Sequence, residues 1–142
     1  VSTRSVPTPD EPRVLLFTLP LDCQPSLNAW RRWHWAVRAR HQREVADAVL
    51  VATRTAGWVN GSTPLSKARV TAVFHFPSNV QRDPSNYSLK FVADALVACG
   101  VLVDDDFLHM EEVVRMGHVA KPGYIEIRVE ETTEGRREEG MG

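Results

Sequence analysis

The stretch Arg82 to Lys90, RDPSNYSLK, sets an acid, a proline, a serine, an asparagine and a lysine at the mouth of an apolar helical run. The run ends in glycine, and the triplet Asp104-Asp105-Asp106 follows shortly after. Three consecutive aspartates repel one another, so a loop gains nothing from crowding them unless a cation or basic neighbours are present. Hard divalent cations such as Mg2+ take carboxylate oxygens, with waters and substrate phosphate completing the shell. Asp83 follows one strand and Asp104 and Asp105 follow the next helix, so they could converge at one end of a sheet. A cation there would polarise a scissile phosphate and generate hydroxide from bound water. Lys90 would stabilise the charge building on the phosphate oxygens. A structural account of the same residues stands beside this one. Asp83 or Ser85 caps a helix, Pro84 supports a turn, and Lys90–Asp94 is a surface pair worth at most a few tenths of a kcal/mol. The aspartate run is then a solvated acidic turn.

The elements that must position these groups are legible as hydrophobic periods. Val14 to Leu19 is a short apolar run that predicts a covered strand. The loop PLDCQPSLN leads into a long helix over about 32–57, with Trp33, Val37, Val45, Ala48, Val49, Ala52 and Ala56 on one side. Arg40, Arg43, Asp47 and Arg54 fall opposite, and Gly57 is a plausible stop. Residues 67–76 predict a strand with Val70, Ala72, Phe74 and Phe76 on one face. A second helix over 86–99 is expected to bury Leu89, Val92, Leu96 and Cys99 and to end at Gly100. Segments 112–119 and 123–130 read as a hairpin around AKPG. The order β-α-β-α-β-β implies an α/β (α+β) fold with a small mixed sheet of about four strands and two packed helices.

Length and composition are ordinary for one globular domain: 142 residues, 43% hydrophobic, 25% charged, net charge −1. The distribution of charge says more. Between Trp30 and Arg43 lie five arginines (31, 32, 38, 40 and 43) and no acid, while five acids and no lysine or arginine lie between Asp104 and Glu112. A basic patch beside an acidic one suits a phosphate-binding surface next to a metal site, although two solvated faces would look the same. The run WRRWHWAVRARHQR interleaves arginines with tryptophans, and exposed aromatics stack on unpaired bases. Trp33 lies on the apolar stripe and is expected in the core, while Arg31, Arg32 and Arg38 are candidates for DNA contact. His34, His41, His75, His109 and His118 show no paired metal-ligand spacing, and His41 is expected to be structural. Cys23 and Cys99 have no metal-type spacing either, and Cys99 is expected to be a reduced core residue. No apolar run reaches membrane-spanning length and nothing resembles a signal peptide, so a cytoplasmic protein is expected. Residues 1–12 read as a loose arm, 13–130 as the domain, and 131–142 as a charged tail.

Arg82 to Leu108 is similar to the signature of the RusA family of Holliday-junction resolvases, especially its bacteriophage branch. That signature has an Arg-Asp-x-Asp-Asn start, a lysine one to two turns on, a helix holding Asp-x-Leu, then Gly and a double aspartate. PSLNAWRRWHWAVRAR resembles the basic start of that branch's first helix. The similarity spans roughly residues 14–130. It implies a homodimeric nuclease that resolves four-way DNA junctions with Mg2+ or Mn2+, without a nucleotide cofactor or a membrane. It also implies that Asp83 and Asp105 hold the metal, with Asp104 assisting, and that Lys90 contacts the scissile phosphate. Arg82 and Asn86 are expected to contact DNA. The chain departs from the signature at Ser85, where the resemblance implies a second metal-binding aspartate; a neutral hydroxyl is a weak ligand for Mg2+.

Three accounts of that serine stay open: a natural variant compensated by Asp104 or Asp106, an engineered inactive form, or a DNA-binding relic. The expected function is therefore a metal-dependent endonuclease acting on branched DNA. The alternatives are a junction-binding protein impaired in cleavage and a metal phosphodiesterase of broader substrate range.

Overall fold

Four strands form in the computed structural model, which describes residues 11–106 and 108–132, and three of them show period-two burial. β1 (Val14–Pro20) buries Leu15 and Leu19, and β2 (Ala68–His75) buries Val70, Ala72 and Phe74. β3 spans Met110–Met116, and β4 (Tyr124–Glu131) buries Ile125, Ile127 and Val129. Three helices accompany them: α1 (Leu27–Trp30), α2 (Trp35–Thr55) and α3 (Lys90–Ala98). The result is a mixed α+β fold on a four-stranded sheet of order β1-β4-β2-β3.

The hairpin expected around AKPG does not form. β4 pairs antiparallel with both β1 and β2, while β3 pairs parallel with β2 at the sheet edge. The physical reason is burial. Ile125, Ile127 and Val129 are at most 1% exposed, a pattern that wants the sheet centre, whereas β3 carries Glu111, Glu112 and Arg115, which suit an edge. Residues 117–123 need only step over β2, about 10 Å at ordinary strand spacing.

Both helices begin later than their periodicity suggests. The helix predicted from 32 starts at Trp35, because His34 is extended (ψ 146°) and its Nδ1 accepts from Ala36 N–H. Ahead of it, Ser26 Oγ accepts from Ala29 N–H to start the short α1. The helix predicted from 86 starts at Lys90. Pro84–Asn86 instead form a 3-10 turn, and Tyr87 (φ −124°, ψ 84°) leaves helical geometry to set its ring against Phe74 and Phe76. Both stops match expectation, with Gly57 at φ 106° and Gly100 at φ 77°.

One sheet face packs on α2 and α3, where Val45, Val49, Phe91, Val92, Ala95 and Leu96 meet the inward strand residues. Cys99 is half-buried and Cys23 buried; burial pushes the Cys23 thiol up to about 11. The other face is uncovered, leaving Leu16 60% and Val14 48% exposed. Most of the expected arm and tail lies outside the described residues. Glu131, expected in the tail, is a buried strand residue whose carboxylate pairs with Arg13 at 2.9 Å.

Candidate metal and nucleic-acid site

The start of α3 is held by two distant side chains. Leu89, the residue before it, has no side-chain cap of its own kind. The fully buried Gln24 instead accepts from Phe91 N–H (2.9 Å) and Val92 N–H (3.3 Å), and Glu112 of β3 accepts from Leu89 N–H at 2.6 Å. Helix-start amides left unpaired inside a protein are costly, so these three bonds fix where α3 begins. They also fix Lys90, which is the first residue of α3 rather than one turn inside it.

From that position a cluster assembles. Lys90 Nζ lies 3.3 Å from Asp94, one turn along, and Gln42 of α2 donates from Nε2 to Asp94 Oδ2 at 2.8 Å. The loop after α3 brings Asp105 against Asp94. Their carboxyl groups are within hydrogen-bonding reach, which together with partial burial and the neighbouring Asp104 raises the Asp105 pKa; Lys90 opposes the rise. Asp104 Oδ1 accepts from Asp105 N–H at 2.7 Å. Asp105 thus lies between two other carboxylates, Asp94 on one side and Asp104 on the other, with Lys90 on Asp94.

A second group abuts it through Asp104. One ligand atom each from Asp104, Asp106 and His109 lie within 4.8 Å of one another, a spacing that could hold a cation. Asp106 Oδ1 accepts from Leu108 N–H and His109 N–H and lies 2.6 Å from His109 Nδ1; the imidazole foremost holds its carboxyl below the usual range.

Asp83 and Ser85 stand apart. Ser85 N–H donates to Asp83 Oδ1 at 3.0 Å, and its hydroxyl donates as well, which keeps the exposed Asp83 carboxyl below its ordinary value. No hydrogen bond or ion pair among the described residues joins Asp83 to the aspartate cluster. The expected cap therefore exists, but it closes the 3-10 turn and not α3.

The expected DNA contacts are distributed. Arg31 and Arg32 are exposed in the turn before α2. Arg38 lies over the Trp30 ring at 4.5 Å, and Arg82 lies over Phe76 at 4.0 Å while bonding the Ser78 and Val80 carbonyls. Asn86 Oδ1 accepts from Asn28 N–H at 3.3 Å, tying the turn to α1. His41 is structural: its ring sits between Trp33 and Phe91, with Nε2 3.3 Å from the Cys23 carbonyl.

Sequence reading missed three members of the cluster. Asp94 was legible only as the i+4 partner of Lys90. Gln42 belongs to another helix. His109 has no histidine partner, and only the turn closed by Asp106 shows its role. No protein-family model matches the chain, and a search of the curated proteins finds no match. No helix among the described residues is long and apolar enough to cross a membrane.

Proposed function

We propose that this chain is a metal-dependent endonuclease selective for branched DNA, a resolvase of the RusA kind working in the cytoplasm. The observation that supports it best is the contact of Asp105 with both Asp94 and Asp104, beside Lys90. One ammonium does not balance carboxylates held within bonding reach of one another, and a divalent cation, which takes hard oxygen ligands, would. In this reading Asp105 and Asp104 hold Mg2+ or Mn2+, and Asp94 supplies the carboxylate that Ser85 lacks. Asp83, ionised and exposed, is the further ligand that substrate and metal draw in. The cation polarises the phosphodiester and lowers the pKa of its bound water; Lys90 neutralises charge on the phosphoryl oxygens.

A two-fold symmetric junction needs two sites, and a homodimer provides them. We place the two-fold contact on the uncovered sheet face, around Leu16 and Val14.

The test is incubation of labelled four-way junctions with the protein and Mg2+ or Mn2+. Paired nicks across the branch are expected. One observation favours a second reading, junction binding without cleavage: Ser85 is neutral and both its donors engage Asp83. Retarded mobility without nicked product at high metal would establish that reading instead, and equal cutting of linear DNA would point to a general phosphodiesterase.

A further inference from the structure

Of the four tryptophans, three are accounted for by packing. Trp30 meets Phe91 edge-on beneath Arg38, Trp33 packs on His41 and Phe91, and Trp58 borders the core. Trp35 is different. It is the first residue of α2, it is 75% exposed, and its ring neighbour is the exposed His34 at 5.4 Å. Folding does not use this ring, and tryptophan is enriched at interfaces, where its apolar body and its N–H both find partners.

Its surroundings specify the partner. Arg31, Arg32, Arg40 and Arg43 are exposed around it, and no acid occurs between Leu27 and Arg43. That charge suits a polyanion. Its placement specifies which part of the polyanion. Seven residues return a helix to within about 20° of the same azimuth, so Trp35 and Gln42 share one stripe. They are about 10 Å apart along the axis. Gln42 is the residue that donates to Asp94. The aromatic plate and Gln42, with the carboxylate it holds, therefore lie along one side of α2, and Arg31 and Arg32 sit in the turn that leads into it.

We propose that Trp35 is the specificity-determining residue for branched DNA: its indole stacks on an unpaired base beside the scissile phosphate, while Arg31 and Arg32 hold the flanking phosphates. This rests on the nuclease reading and extends it to how the branch is recognised. Base-paired duplex offers no free base face in its interior, whereas a branch point does, so stacking discriminates the two without reading sequence.

The test uses the full chain without cleavage, in Ca2+ or EDTA, with a four-way junction carrying 2-aminopurine at the branch and a linear duplex of the same sequence. Wild-type binding should change the 2-aminopurine emission. Trp35→Ala should abolish that change and weaken junction binding about tenfold while leaving duplex binding nearly unaltered. Trp35→Phe should retain most of both signals. Arg31→Ala with Arg32→Ala should weaken junction and duplex alike. Trp35→Ala should melt at the wild-type temperature, separating recognition from folding. Equal losses on junction and duplex, or an emission change that survives Trp35→Ala, overturn the inference. If the wild type itself binds junction no better than duplex, the branched-DNA reading fails and the inference with it. If the wild type prefers junctions and Trp35→Ala keeps that preference, the inference alone fails.

Discussion

Asp105 is the residue where the proposed cation would compete with a proton. Its carboxyl is pushed above its ordinary value, chiefly by sharing a hydrogen bond with Asp94. Within the window above the ordinary carboxylate value, the folded chain keeps a proton that the unfolded chain has released, so stability falls as pH rises through it. A cation displaces that proton, so metal affinity should climb through the same window. Titrating Mn2+ binding against pH by calorimetry in two buffers of different ionisation enthalpy checks both the direction and the proton release. Asp94→Asn removes a carboxylate from the cluster. It should leave the metal-free protein as stable or up to about 1 kcal/mol more so, given solvent screening, while lowering metal affinity at least tenfold. A variant that melts earlier yet binds metal normally would show that Asp94 is structural only. Asp83 has the opposite sign. Its carboxyl is depressed by the Ser85 donors, so its contribution is present above the ordinary carboxylate value and is lost as pH falls through the depressed one. Ser85→Asp replaces those donors' side chain with a like charge. We expect a small destabilisation without metal and higher nicking activity with it; unchanged activity would remove position 85 from the metal site.

At the scale of elements, the decisive joints are the capped start of α3 and the packed end of the sheet. Gln24 satisfies two amides of α3 from a loop more than sixty residues earlier in the chain. Gln24→Leu leaves both donors buried and unpaired, which should cost about 2–4 kcal/mol in urea unfolding and shift Lys90 with the helix start. At the far end of β2, His75 is buried, with Nδ1 2.9 Å from the His118 carbonyl and Nε2 facing Glu126. Gly117 makes room for that ring. A Cβ there would stand 2.3 Å from His75 Cε1, so Gly117→Ala should displace the imidazole and destabilise by about 1–3 kcal/mol in chemical denaturation. Neither joint was legible in sequence. The strands and the two long helices were, because alternation at 68–75 and 124–131 and the helical stripe through Val45 and Val49 are local consequences of burial. The start of α3 was misplaced because distant groups, Gln24 and the Tyr87 ring pocket, decide it, and that of α2 because the extended His34 caps it after the apolar period has begun.

For the whole molecule, the proposed DNA binding rests on the exposed arginines at the start of α2. DNA affinity should fall steeply with salt, and Arg31→Ala and Arg32→Ala should each reduce the salt slope by about one. Leu16 is 60% exposed on the uncovered sheet face. Leu16→Glu should convert a dimer to a monomer in sedimentation velocity and abolish paired, though not single, nicking; an unchanged mass would place the two-fold contact elsewhere.

The sequence by itself determined the kinds of element, their order, the core residues on each strand and the chemical character of the two charged segments. These follow from periodicity and composition, which act over a few residues. Only the tertiary structure decided that β4 lies between β1 and β2 and that Asp94 meets Asp105. It also decided that Trp35, alone of the four tryptophans, is left in water. Those outcomes depend on which apolar faces compete for the sheet centre and on bonds between groups far apart in the chain, neither of which a local pattern encodes.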